Sequence, residues 1–290
     1  MRLLSPLIPL ALALAAPAQR EPVPSSQKIE TAEKNGPQEP RRLAAWPALS
    51  DANRDRAMGL IRQFHKKEEL HRAAEDGLVA IGDSIGPLLF MQLRDGEEQV
   101  DEHIEAVLDR ILDERHADLI ARQIGNKRTA VRRYAALRLC RFRKPDLAKP
   151  LEAAAADPDV VAAFRGSVGL LALGRREALP KVLERVRADW NGSRPLLEEV
   201  LPGARSREAG GWLLEAAAKG KAVEQQCALR VLRYLGTEDN ASGIKSYLGA
   251  TDGNVKKEAV NALLVIHGRK AIENMTVFQA IGLAKEWQSR

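Results

Sequence analysis

The side chains able to do chemistry are few and scattered. Five histidines (His65, His71, His103, His116 and His267) and two cysteines (Cys140 and Cys227) are the metal-ligating and nucleophilic set. Metal ligands on helices fall at i and i+3 or i+4, or converge from neighbouring elements. The nearest arrangements are His103 with Glu102 and Glu105, and His116 with Glu114 and Asp118. Acidic residues at such places are expected of solvated helix surfaces and of first turns, which the helix dipole makes favourable for them. No metal and no other cofactor is therefore expected. Each cysteine sits in an apolar helical pattern with no histidine near it in sequence, which predicts buried free thiols rather than a nucleophile. The run Gly82 to Pro87 (GDSIGP) reads as a turn, with Asp83 and Ser84 as turn and N-cap residues. No Gly-x-Ser-x-Gly elbow and no glycine-rich phosphate loop occurs. On these grounds the chain is expected not to be an enzyme.

Charge is the remaining candidate for function. Residues 51–125 carry 10 basic against 17 acidic side chains, and residues 126–187 carry 15 against 6. An acidic block followed by a basic one marks the middle of the chain as a place for an acidic partner. The candidate partner-binding residues are Arg132, Arg133, Arg138, Arg141, Lys181 and Arg185, with Trp190 as an apolar anchor. Nucleic acid fits this block poorly. Its only aromatic residues are Tyr134, Phe142 and Phe164, and all three fall at core positions rather than where bases could stack.

These residues need elements to hold them. Hydrophobic residues make up 45 % of the 290-residue chain and aromatic ones 4 %, so the apolar content is chiefly small and aliphatic, which suits closely stacked helices. Residues 1–18 read as a signal peptide: Arg2, an apolar stretch from Leu7 to Ala16, and a small-x-small site at Ala16-Pro17-Ala18. The chain is thus expected to be exported, to a periplasm or outside the cell. Residues 19–50 are rich in Pro and polar residues and read as a disordered linker. Residues 51–290 then form the repeat domain, with no segment apolar enough to span a membrane.

The repeat shows as an apolar anchor with small or apolar residues four, eight and eleven places on. Leu70, Val100, Val131, Val160, Gly192, Val223 and Val255 are the anchors, at steps of about thirty residues. Steps of four, four and three fall on one helical face. Each anchored helix is followed by a break and a second apolar helix, and a pair this short cannot bury its stripe without the next pair. Two copies are irregular. Gly166 and Gly169 interrupt the helix anchored at Val160, and Pro195, Pro202 and Gly203 bracket the next, which reads as sequence drift. Cys140 and Cys227, three repeats apart, lie beyond bridging distance.

The segments AVRRYAALRLCRF, AVEQQCALRVLRYLG and NVKKEAVNALLVIHG resemble the helices of HEAT repeats, and the short period resembles the HEAT-like class of phycobilisome lyases. The resemblance covers residues 70–288. It implies an all-α, right-handed, armadillo-like solenoid of about seven helix pairs whose second helices line the concave face. HEAT-like deoxyhypusine hydroxylases carry iron on His-Glu dipeptides, and none occurs in this sequence. The expectation for function is a monomeric, non-catalytic protein–protein scaffold that binds through its concave face or basic middle. The alternatives are a lyase-like enzyme accessory or chaperone for a cofactor-bearing protein, which requires polar groups converging on one face, and a nucleic-acid-binding protein.

Overall fold

The computed structural model describes residues 41–289. The expected signal peptide, and residues 19–40 of the expected linker, lie outside the described residues. The described part has fifteen α-helices and no strand. After α1 (Asp51–Ile61) they fall into seven pairs. These are α2 (His71–Val79) with α3 (Gly86–Gln92), α4 (Glu98–Ile111) with α5 (Ala117–Ala121), α6 (Thr129–Phe142) with α7 (Ala148–Ala155), and α8 (Val160–Ala172) with α9 (Leu179–Ala188). Then come α10 (Trp190–Val200) with α11 (Arg207–Lys219), α12 (Ala222–Leu235) with α13 (Ala241–Lys245), and α14 (Gly253–Ile266) with α15 (Val277–Ser289). The fold is an all-α repeat solenoid.

The predicted stripe is the seam of the stack. In all seven first helices the residues four and eight places after the anchor, from Ala74 and Leu78 to Ala259 and Leu263, are at most 9 % exposed. The anchors are less uniform. Val100, Val131 and Val255 are buried, whereas Leu70, Val160 and Val223 are exposed. Helical side chains lean toward the N-terminus, so one in the first turn reaches past the end of its own helix and is covered only where the preceding loop lies over it.

First helices pack along one another, as α6 on α8 and α12 on α14, and second helices such as α7 and α11 fill the seam to the first helix that follows. The order changes at α10, where α9 also packs on α12. The irregular glycines belong to this stack rather than to drift. A Cβ on Gly166 would lie 2.4 Å from the Ala155 amide nitrogen, and one on Gly169 would lie 2.7 Å from Leu151 and 3.2 Å from the Cys140 Cα. Both glycines let α8 sit against the backbone of its neighbours.

Five second helices open with a 3₁₀ turn whose last residue points into the core: Ile85, His116, Leu147, Ala178 and Asn240. Two of the five are polar and are satisfied locally. The Asn240 amide donates to the Arg207 carbonyl at 3.0 Å, and the Thr237 amide donates to Asn240 Oδ1 at 3.0 Å. His116, fully buried, has Nε2 3.0 Å from Asp83 Oδ2 and Nδ1 3.2 Å from the Asp113 amide. Asp83 is therefore a link between the first two repeats rather than a helix cap. Residues 42–49, expected in the linker, are packed on the helices. The Leu43 amide donates to the Arg115 carbonyl, Arg42 reaches Asp118 and Asp146, and Trp46 stacks on His116 at 5.7 Å while filling the space above Gly86.

Candidate ligand site on the first helices

The polar side chains that converge do so across the first helices, not the second ones. On α4, Glu105 and Asp109 stand one turn apart. On α6, Tyr134, Arg138 and Arg141 follow at spacings of four and three, so they too share a face. Tyr134 donates its hydroxyl to Asp109 Oδ1 at 3.0 Å, and Arg141 Nη1 donates to Asp109 Oδ2 at 2.7 Å. Arg138 turns its guanidinium to the carbonyls of Asp109 and Leu112. Arg141 also lies 2.7 Å from Glu199 on α10, so this pair bridges from the third repeat to the fifth. Burial pushes the Tyr134 hydroxyl far above its ordinary range, which keeps it a proton donor to Asp109.

Arg165 on α8 departs from this pairing. The other arginines of α6 and α8 each have a carboxylate: Arg132 has Asp157 at 2.6 Å, Arg133 has Asp159 at 2.7 Å, and Arg138 and Arg141 share Asp109. Among the described residues Arg165 has none, and its Nη1 donates instead to the Arg133 carbonyl at 2.8 Å. Burial lowers its pKa, with Glu105 as the main opposing influence. Glu105 has its own pKa raised by burial, and Arg165 is the cation that opposes this most. The two charges act on each other without touching. Arg165 opens into a cavity of about 280 Å³ walled by Arg141, Arg185, Glu199, Leu137, Val161, Phe164 and Leu196. A second cavity of about 290 Å³, with Val160 and Ala163 in its wall, shares Phe164 and Arg185 with it. The arrangement can hold one anion against Arg165.

The sequence-predicted binding residues do not form one open patch. Arg138 and Arg141 belong to the constellation, and Arg185, paired with Asp189 at 2.8 Å, walls the cavity. Arg132 and Arg133 tie their helix to the Asp157–Asp159 loop, and Lys181 donates to the Ala155 carbonyl at 2.7 Å. Trp190 is the first residue of α10 rather than a loop residue. Arg230 and Arg233 cover its ring at 4.9 and 5.0 Å, and Arg233, 1 % exposed, is held by Glu258 and Glu273. Sequence reasoning passed over Asp109, Arg165 and Glu199, and took Glu105 only as a neighbour of His103. A signal was present: arginine recurs seven and ten places after the anchor, as Arg138 and Arg141 after Val131 and as Arg230 and Arg233 after Val223.

The histidines and cysteines lie elsewhere. His71 and His103 meet with ring centroids 4.4 Å apart under Phe64, with His103 Nδ1 2.7 Å from Glu75. His267 stacks on Trp287. Among the described residues no group of three or more His, Cys, Asp or Glu is placed to hold a metal ion. Cys140 and Cys227 are free and buried, and burial pushes the Cys140 thiol up to about 12. No described helix is long and apolar enough to cross a membrane.

A chain of stacked helix pairs with its polar groups on the first helices is a repeat solenoid with a candidate site. A solved structure of human deoxyhypusine hydroxylase in complex with glycerol is similar to it over 81 % of this chain and 96 % of that one, at 17 % identity and a TM-score of 0.31. No family model and no curated protein matches the chain. That neighbour is an enzyme, and the finding corrects two expectations: that the chain is a non-catalytic scaffold and that it is not an enzyme. At such distance it carries nothing about which reaction this chain serves.

Proposed function

We propose that this chain is a lyase-like enzyme accessory, a chaperone that attends a cofactor-bearing protein, built on short HEAT-like repeats and exported by its first eighteen residues. The supporting observation is the one this class requires and a plain stack of helices does not: charged groups from α6, α8, α9 and α10 (Arg141, Arg165, Arg185 and Glu199) around one cavity. Arg165 is the functional centre of that group. A half-buried guanidinium with no carboxylate in contact is unfavourable unless something else supplies the opposite charge. The client's bound group supplies it. Arg141 and Arg185 flank the site, their own charges already answered by Asp109, Glu199 and Asp189.

The test is cross-linking in the native host. A photo-reactive residue in place of Leu137, on the cavity wall, is expected to capture a protein that carries a bound or covalently attached cofactor. Capture of cofactor-free proteins alone, with the cross-linker active, overturns the reading.

A further inference from the structure

We infer that the cavity beside Arg165 is a binding site for the carboxylate of a small organic acid with an apolar body. The inference rests on the accessory reading for the ligand's role. Its chemistry comes from charge and from surface. Around the cavity, Arg138 and Arg141 are balanced by Asp109 and Glu199, and Arg185 by Asp189. Of these arginines, Arg165 alone has no carboxylate in contact among the described residues, with Glu105 acting on it only from a distance, so the site offers one guanidinium to a monoanion. A doubly charged phosphate would face the carboxylate of Glu199 in the wall with only that one uncommitted cation to offset it. The guanidinium keeps Nη1 on the Arg133 carbonyl at 2.8 Å, and this bond fixes its plane while its other nitrogens remain for a carboxylate.

Apart from Glu199, which Arg141 holds at 2.7 Å, the rest of the wall is apolar. Leu137, Val161, Phe164 and Leu196 face the same space, and Phe164 and Arg185 continue into the neighbouring cavity, where Val160 and Ala163 extend the apolar surface. Val160 is 61 % exposed, an apolar residue that solvent covers in the free protein. A head group on Arg165 directs an aliphatic or aromatic body along this surface. The two cavities, about 280 and 290 Å³, match the lower end of the range for small-molecule sites.

Titration calorimetry on the full chain with sodium octanoate tests this, with acetate and 1-octanol as partial probes. Octanoate is expected to bind saturably and about tenfold or more tighter than acetate, since the added methylenes leave water. Octanol, without the charge, is expected to bind more weakly than octanoate. Arg165→Met is expected to weaken octanoate about tenfold or more by removing the charge-assisted hydrogen bonds. Val161→Trp, which fills the cavity and touches no charge, is expected to do the same and covers the case in which Arg165→Met does not fold. Octanoate that binds no better than acetate, or that binds undiminished to both variants, overturns the inference. That failure is separate from failure of the accessory reading, because a cofactor-bearing client captured at Leu137 stands whatever octanoate does.

Discussion

Glu105 is a side chain whose environment disfavours its usual charge. Burial outweighs the pull of Arg165 and Arg141, and Asp109 and Asp101 on the same helix add to the rise. Its folded-state pKa lies above the ordinary 4.5, so its favourable contribution is complete below that value and is lost as pH rises through the folded-state pKa. Glu105→Gln cannot ionise. The variant is expected to match the parent near pH 4 and to exceed it in thermal stability near pH 8, as melting curves across that range will show. A parent that is the more stable of the two at pH 8 would mean that Glu105 works as an ionised partner of Arg165. Arg165 was hard to single out from sequence for the same reason that it matters. What distinguishes it from Arg132, Arg133, Arg138 and Arg141 is a missing carboxylate, and absence of a spatial partner leaves no mark on composition or spacing.

Among the elements, α8 shows why a local rule and a packed structure can disagree. Two glycines in a helix cost about 1 kcal/mol each against alanine on propensity alone, so Gly166→Ala should help if nothing lay opposite. Something does: the Ala155 amide nitrogen, 2.4 Å from the would-be Cβ. Overpacking of this kind costs about 1–3 kcal/mol, and backbone cannot swing aside as a side chain can. Gly166→Ala is therefore expected to lower the urea midpoint, and a raised midpoint would show that α8 can back away from α7. The helix pairs themselves were legible because burial repeats with the helical period: Ala135, Leu139, Ala259 and Leu263 sit where steps of four place them. The face carrying the site was not, because periodicity says which side of a helix is buried and nothing about which helix of a pair meets the ligand. Glu105, Asp109, Tyr134 and Arg138 are on first helices, and the second helices had been expected there. Residues 42–49 were misread for a related reason. A short stretch broken by Pro47 carries no helical stripe, yet Trp46 finds a ring-sized place between His116 and Gly86.

Across the whole molecule, stability is a sum of repeats and of the joints between them. Arg132 and Arg133 form such a joint. From sequence they are surface charges whose reversal would leave folding intact. In the structure Arg132 meets Asp157, whose side chain is 5 % exposed, and Arg133 meets Asp159, the cap of α8. Arg132→Glu with Arg133→Glu sets like charges face to face at that joint. Breaking a buried pair costs about 3–5 kcal/mol, so denaturant unfolding is expected to start earlier and to split into two steps as the halves lose their coupling. A single transition with the parent midpoint would show that the joint bears no load.

The packed leader has a bearing on where this body ends. Most stacked-helix proteins close their first repeat with a helix laid over its open end, and α1 stands in that position. Trp46, however, takes hold on the flank of the first two units, against Gly86, Phe90 and His116, while Arg42 reaches on to Asp146 in the third. A pull on residues 42–49 would thus be felt first at a buried histidine rather than at the terminal helix.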